Sequence, residues 1–284
     1  YLTRAITRRA IEFVRTTPAD QPFFLFLAYN APHTPLQAPD DAILRHLRRD
    51  EEPVEAVRRA MIDELDSGVG AVMDALRDSG REKETLVIFT SDNGGTGREH
   101  NGAFRGGKMS LWEGGIRVPL IASWPGHLPA GRSCESMAIT HDLTATTLSL
   151  AGVAVPADRI DGVDLMGYWT GQKTGDAHDW LAWSLGPKGG PGTKPTIANT
   201  ERWSVRRGPW KLVRDGEKGA SGLFDLSQDE SESKNLEPDH EEKVAELTAI
   251  FEGWLATTAP ACGPIQRTDT RPGGDDRKLA DLRE

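Results

Sequence analysis

The sequence predicts an α/β fold with a largely parallel sheet, and three observations predict it. Short apolar runs of strand length recur at "PFFLFLAYN" (22–30), "TLVIFT" (85–90) and "VPLIASWPG" (118–126). Between and after them lie segments whose apolar residues are spaced three to four apart, the period of a helix. Strands that alternate with helices in this way pair in parallel and place helices over the sheet. Near residue 176 the texture changes to short alternating segments and turns, the mark of a smaller antiparallel unit.

Residues 1–17 form an amphipathic helix with Ile6, Ala10, Phe13 and Val14 on one side. The run 22–30 is apolar throughout and aromatic-rich, as expected of a buried strand. It breaks at "NAPHTPLQAPDD", where three prolines impose an extended loop. A long helix follows from Pro53 to Asp78, with Val54, Val57, Met61, Leu65, Val69, Val72 and Leu76 on its face and Gly80 as its stop. The segment "DLTATTLSLAG" (142–152) is a helix with Asp142 as N-cap and Gly152 as stop. Beyond the Gly/Pro loop "GPKGGPGTKP", the segments "RWSVRRGPWKLVRDG" and "SGLFDLSQD" alternate like antiparallel strands. "DHEEKVAELTAIFEGWLATT" places Val244, Leu247, Ile250, Phe251 and Trp254 on one helical face. The expected division is 1–175, 176–262 and a polar tail over 263–284.

With 284 residues the chain buries a sizeable core, and its net charge of −9 argues against a nonspecific grip on nucleic acid. No apolar stretch is long enough to span a membrane as a helix. Two cysteines, Cys134 and Cys262, make no disulfide framework, and the compartment stays open. The chain opens at Tyr1 in mid-helix with no signal peptide, which gives the expectation of a piece cut from a longer protein.

Chemistry concentrates where the apolar runs end, because ligands of open α/β sheets sit beyond the carboxyl ends of strands. Asp92 and Asn93 stand there, after "LVIFT". A carboxylate beside an amide offers hard oxygen donors suited to Ca²⁺ or Mg²⁺, although on spacing alone an Asx turn explains the pair equally well. Lys108 lies in "RGGKMSLWEGG", where glycines allow close approach of backbone to a ligand and the ammonium supplies a compact charge for an anion; a surface loop is the plain alternative. His33 lies in "NAPHTP" at the end of the first run, placed to donate a hydrogen bond to an anion or to act as a general acid. His100, His141 and Asp142 are weaker candidates, and Trp112, Trp183, Arg98 and His100 lie in loops suited to the mouth of a pocket.

Four stretches, "FFLFLAYNAPHTPLQAPDD", "TLVIFTSDNGG", "NGAFRGGKMSLWEGGIRVPLIASWPG" and "SVRRGPWKLV…GLFDLSQDESESKNL", resemble the sulfatase family of the alkaline-phosphatase-like superfamily, in register to about Leu255. The resemblance implies an α/β/α sandwich, here the C-terminal part of the catalytic domain over 1–175, followed by a small sheet-and-helix subdomain. It implies a Ca²⁺-dependent hydrolase of sulfate esters, with Asp92 and Asn93 as metal ligands. Lys108 and His33 become sulfate contacts, and His33 the donor of a proton to the leaving oxygen. The family's nucleophile is a formylglycine made within a Cys/Ser-x-Pro/Ala-x-Arg motif. This sequence has no such motif: "SCESMA" at Cys134 lacks the proline and arginine, and "CGPIQR" at Cys262 has Gln266 in the arginine position. The acidic pair that completes the metal site is also missing. The expectation is a chain that carries half of the site, is inactive alone, and has the rest of the catalytic domain as its partner. A phosphatase or phosphodiesterase of the same superfamily, and a non-catalytic binding remnant, are the alternatives.

Overall fold

A computed structural model describes residues 1–96, 101–185, 196–200, 202–215 and 221–258. The loop "GPKGGPGTKP", Arg98, His100, Cys262 and the 263–284 tail lie outside the described residues. The order is α1 (Leu2–Thr16), α2 (Asp40–His46), α3 (Pro53–Asp78), β1 (Val87–Thr90), α4 (Glu113–Ile116), β2 (Leu120–Ser123), α5 (Thr140–Leu150), α6 (Met166–Thr170), β3 (Leu181–Ser184), β4 (Trp203–Arg207), β5 (Trp210–Arg214), β6 (Ser221–Asp225) and α7 (Glu241–Thr257). The α/β class is as expected, with β1 and β2 forming one sheet and β3-β4-β5-β6 a second. The chain divides into two compact units, Tyr1–Phe89 with Ile121–Ser133, and Thr90–Leu120 with Cys134–Glu284.

In the first unit α1 packs on α3, and Val14, Ala75 and Leu76 form a core with Phe23, Leu25 and Val87. The buried face of α3 differs from the expected stripe. Val54 is exposed, and Ala56, Ala60, Glu64 and Gly68 are buried beside Met61, Val72 and Leu76. Small residues win this face because α1 comes close: a Cβ on Gly68 would stand 2.5 Å from Thr7 Oγ1. Glu64 tolerates burial because the Arg4 guanidinium grips both its oxygens, at 2.6 and 2.7 Å. Gly80 takes φ 72° at the end of α3, with Arg81 N–H donating to Leu76 O, as its role as stop requires.

The run 22–30 is not a strand. It is extended but unladdered, and its residues alternate, with Phe23, Leu25, Leu27 and Tyr29 turned inward and Phe24 and Phe26 left 72% and 79% exposed. The apolar composition concealed a period of two, because nothing among the described residues covers the second face. β1 and β2 are also incompletely covered, with Phe89 of β1 and both Leu120 and Ile121 of β2 exposed.

In the second unit the antiparallel sheet is covered on both faces. Val205, Leu212 and Leu223 stand opposite one another in register and pack with Trp203 on Leu247, Phe251 and Leu255 of α7. The other face carries Val213 and Phe224, which pack on Leu111 and Trp112. The segment that runs from the glycine loop into α4 is therefore seated on the C-terminal sheet. α5 begins at Thr140, two residues earlier than expected. Asp142 is not its N-cap: it sits in the first turn, fully buried, and accepts from Ile139 N–H and Val163 N–H.

Candidate active site

Thr90 closes β1, and the chain turns through Ser91, Asp92 and Asn93. Asp92 is exposed and Asn93 half-buried. The Ser91 hydroxyl donates to Asn93 O at 3.0 Å, and no hydrogen bond or ion pair to another described residue engages the side chain of Asp92 or of Asn93. The fold-back that an Asx turn requires does not occur among these contacts.

Lys108 sits on the same hydrogen-bonded system. Its N–H donates to Gly95 O at 2.7 Å, and Gly94 N–H donates to Gly115 O at 3.0 Å. The Asn101 side chain clamps this system, accepting from Gly95 N–H and donating to Gly95 O and Gly106 O. Gly114 N–H closes it on Arg105 O at 2.8 Å. The glycines are needed for contact: a Cβ on Gly94 would lie 1.8 Å from Gly114 O, and one on Gly115 2.3 Å from Ser110 O. Both obstacles are backbone and cannot swing aside. Gly94→Ala is therefore expected to lower stability by about 1–3 kcal/mol, measured by denaturant unfolding with Gly70→Ala as control, since a Cβ on Gly70 meets nothing within 4 Å.

The half-buried Lys108 ammonium forms no ion pair with a described residue. A lysine placed among glycines without a carboxylate partner among the described residues is suited to an external anion. Next to it Met109 holds φ 72°, and Arg202 donates to Met109 O at 2.6 Å while bound to Asp215.

His33 belongs to the first unit. It is exposed, and its Nδ1 lies 2.7 Å from Thr34 O. A carbonyl only accepts, so Nδ1 carries the proton and Nε2 is the nitrogen presented outward. A ring in this state donates from Nε2 only when doubly protonated.

Beneath the glycine loop lies a cluster with no forewarning in the sequence. Lys211 of β5 is fully buried, with Nζ 2.8 Å from Glu113 Oε1 and 2.8 Å from Glu232 Oε1. Glu232 Oε2 accepts from Glu113 N–H at 2.7 Å, and Glu232 O accepts from Arg105 at 2.9 Å. Burial pushes the Glu232 carboxyl above the ordinary carboxylate range, against the pull of Lys211. A second pair is His178 Nε2 on the buried Asp142 at 2.8 Å. Of the residues considered for a pocket mouth, Trp112 is buried against Phe224 with Arg105 stacked 3.7 Å over its ring. Trp183 packs partly buried against the same cluster.

Ca²⁺ takes roughly six to eight oxygen ligands. Asp92 and Asn93 offer oxygens of that class, uncommitted elsewhere among the described residues, and so fit such an ion as part of its shell. No group of three or more His, Cys, Asp or Glu that could hold a metal occurs among the described residues. No described helix is long and apolar enough to cross a membrane.

Comparison with known proteins identifies the family. The Sulfatase family model matches residues 1–153, and the model for the C-terminal region of N-sulphoglucosamine sulphohydrolase matches 102–255. Mouse N-acetylgalactosamine-6-sulfatase is 41% identical over 173 residues, 58% of this chain and 32% of that protein. Mouse steryl-sulfatase is 31% identical over 301 aligned positions, 92% of this chain and 46% of that protein. The crystal structure of Ps i-CgsB in complex with k-i-k-neocarrahexaose superposes with a TM-score of 0.77 at 30% identity, over 90% of this chain and 55% of that one. The chain thus spans about a third to a half of the length of these curated relatives, which are named as sulfatases. With more than half of its residues matched by the family model and four motifs in order, the chain belongs to the sulfatase family.

Proposed function

We propose that this chain carries one wall of a Ca²⁺-dependent active site that hydrolyses sulfate esters. The observation that carries the reading is the shared backbone system of the Asp92–Gly95 turn and the Lys108 loop, which carries oxygen donors and an ammonium that have no partner among the described residues. A sulfate ester is an anion whose leaving oxygen gains charge in the transition state. Lys108 would bind and orient the sulfuryl oxygens and stabilise charge that develops on them. Asp92 and Asn93 would hold the cation, which supplies Lewis-acid polarisation of those oxygens when bound. His33, presenting Nε2, would deliver a proton to the departing oxygen as an imidazolium; its assignment rests on the family resemblance.

The nucleophile and the remaining metal ligands would come from polypeptide outside these 284 residues. Support comes from the absent Cys/Ser-x-Pro/Ala-x-Arg motif and from the share of each relative that the chain covers. The formylglycine of that motif supplies a covalent acceptor for the sulfuryl group. The division at residue 176 is proposed as the start of the small subdomain. Incubating the purified chain with an aryl sulfate and Ca²⁺ tests the reading, with weak Ca²⁺ binding and no sustained turnover expected. Turnover that disappears in Lys108→Ala would show that the chain is a complete enzyme.

A further inference from the structure

Lys211 is buried together with two carboxylates, although an apolar trio of similar volume would serve packing as well or better. An apolar cluster of Leu111, Trp112, Val213 and Phe224 lies on the same face of the sheet. The two carboxylates exceed the one ammonium by a charge, and Arg117 and Arg206 stand 3.8 and 4.0 Å from Glu113 Oε2. Glu232 also holds φ 52°, in the left-handed region that costs a side-chain-bearing residue energy. Stability alone does not explain such an expensive arrangement.

Its position does. Glu113 opens α4, so its two bonds, side chain to Lys211 and N–H to Glu232, set where that short helix begins. α4 in turn holds both halves of the candidate site: Gly115 O takes Gly94 N–H beside Asp92 and Asn93, and Gly114 N–H takes Arg105 O at the root of the Lys108 loop. We infer that Lys211 is a positioning residue for the anion site: its ammonium, bridging Glu113 and Glu232 under α4, sets the register of Lys108 against the Asp92–Asn93 turn. The inference rests on the reading of Lys108 as an anion contact. It adds a role for the C-terminal sheet, which supplies Lys211 from β5 and, through Arg202, a second hold on the loop at Met109 O.

The test uses the whole chain and the triple variant Lys211→Met/Glu113→Gln/Glu232→Gln, which removes the ion cluster without stranding a buried charge; Lys211→Met alone is the companion. Two quantities are read. The first is amine labelling of Lys108 by reductive methylation, with inorganic sulfate against chloride at equal ionic strength and Lys234 as internal control. The second is amide hydrogen exchange at Gly94 and Lys108. The expected result is sulfate protection of Lys108 in the wild type that is lost in the triple variant. Exchange at Gly94 and Lys108 is expected to quicken about tenfold while α7 and β6 keep wild-type rates. Retained protection, or unchanged exchange at both amides in a folded triple variant, overturns the inference. Equal quickening throughout α7 and β6 overturns it also, since that is what a general structural role predicts. Absence of sulfate protection in the wild type would count against Lys108 as the anion contact, and the exchange rates then decide the positioning role by themselves.

Discussion

Lys108→Ala is expected to lower kcat/KM for sulfate-ester hydrolysis by about 10²–10³-fold in an active enzyme that contains this chain, the usual cost of deleting one preorganised group aimed at developing charge. The loop around Lys108 suits that proposed role: its N–H is bonded to Gly95 and its ammonium has no described carboxylate partner. Lys108→Arg is not expected to restore the rate, because a planar fork differs in shape and reach from a point charge among close-packed glycines. Asp92→Ala is expected to cost a similar factor for a different reason. Losing one ligand weakens the cation, so its loss of rate should recover in part as Ca²⁺ is raised, whereas that of Lys108→Ala should not. Steady-state kinetics across a Ca²⁺ series separate the two. A Lys108→Ala enzyme at full rate would remove Lys108 from the site.

Lys211→Ala is expected to be the most destabilising substitution, at about 3–5 kcal/mol, because it leaves Glu113 and Glu232 buried without their shared cation. Leu212, next in sequence and also fully buried, points to the opposite face onto α7, and Leu212→Ala is expected to cost about 2–5 kcal/mol through cavity formation alone. The two separate by pH. Burial raises the folded-state pKa of Glu232 above its ordinary 4.5, so the stability tied to this group is present below that value and is lost as pH rises through the folded-state value. Removing Lys211 takes away the cation that pulls this pKa down. The deficit of Lys211→Ala should therefore be largest at neutral pH and shrink as pH falls toward 4.5, while that of Leu212→Ala should not follow this trend. Denaturant unfolding at a series of pH values measures both, and a deficit that grows on acidification would contradict the account.

Much of this was legible in the sequence. The period of α3 and its glycine stop placed that helix at Pro53–Asp78, and the alternation of residues 203–225 gave the antiparallel strands, because local pattern and turn chemistry suffice for both. Asp92, Asn93 and Lys108 stood out because polar residues among glycines at a strand end have few packing roles. The exposure of Phe24 and Phe26, and the burial of Gly68 and Glu64 in place of Val54, were not legible. An apolar residue signals that burial is favourable, but whether a neighbour exists to bury it is settled by tertiary contacts.

Lys211 shows where the division falls. In sequence it is one lysine in an alternating strand, indistinguishable from a solvated charge. Its neighbours in the fold, Glu113 and Glu232, are 98 and 21 residues away along the chain. By itself the sequence determined the family and the α/β class, and it singled out the groups proposed to meet a cation and an anion. Only the tertiary structure decided that the loop bearing those groups rests on a buried ion cluster of the C-terminal sheet. The physical reason is that an ion pair's worth depends on distance and burial, and neither is a property of local sequence.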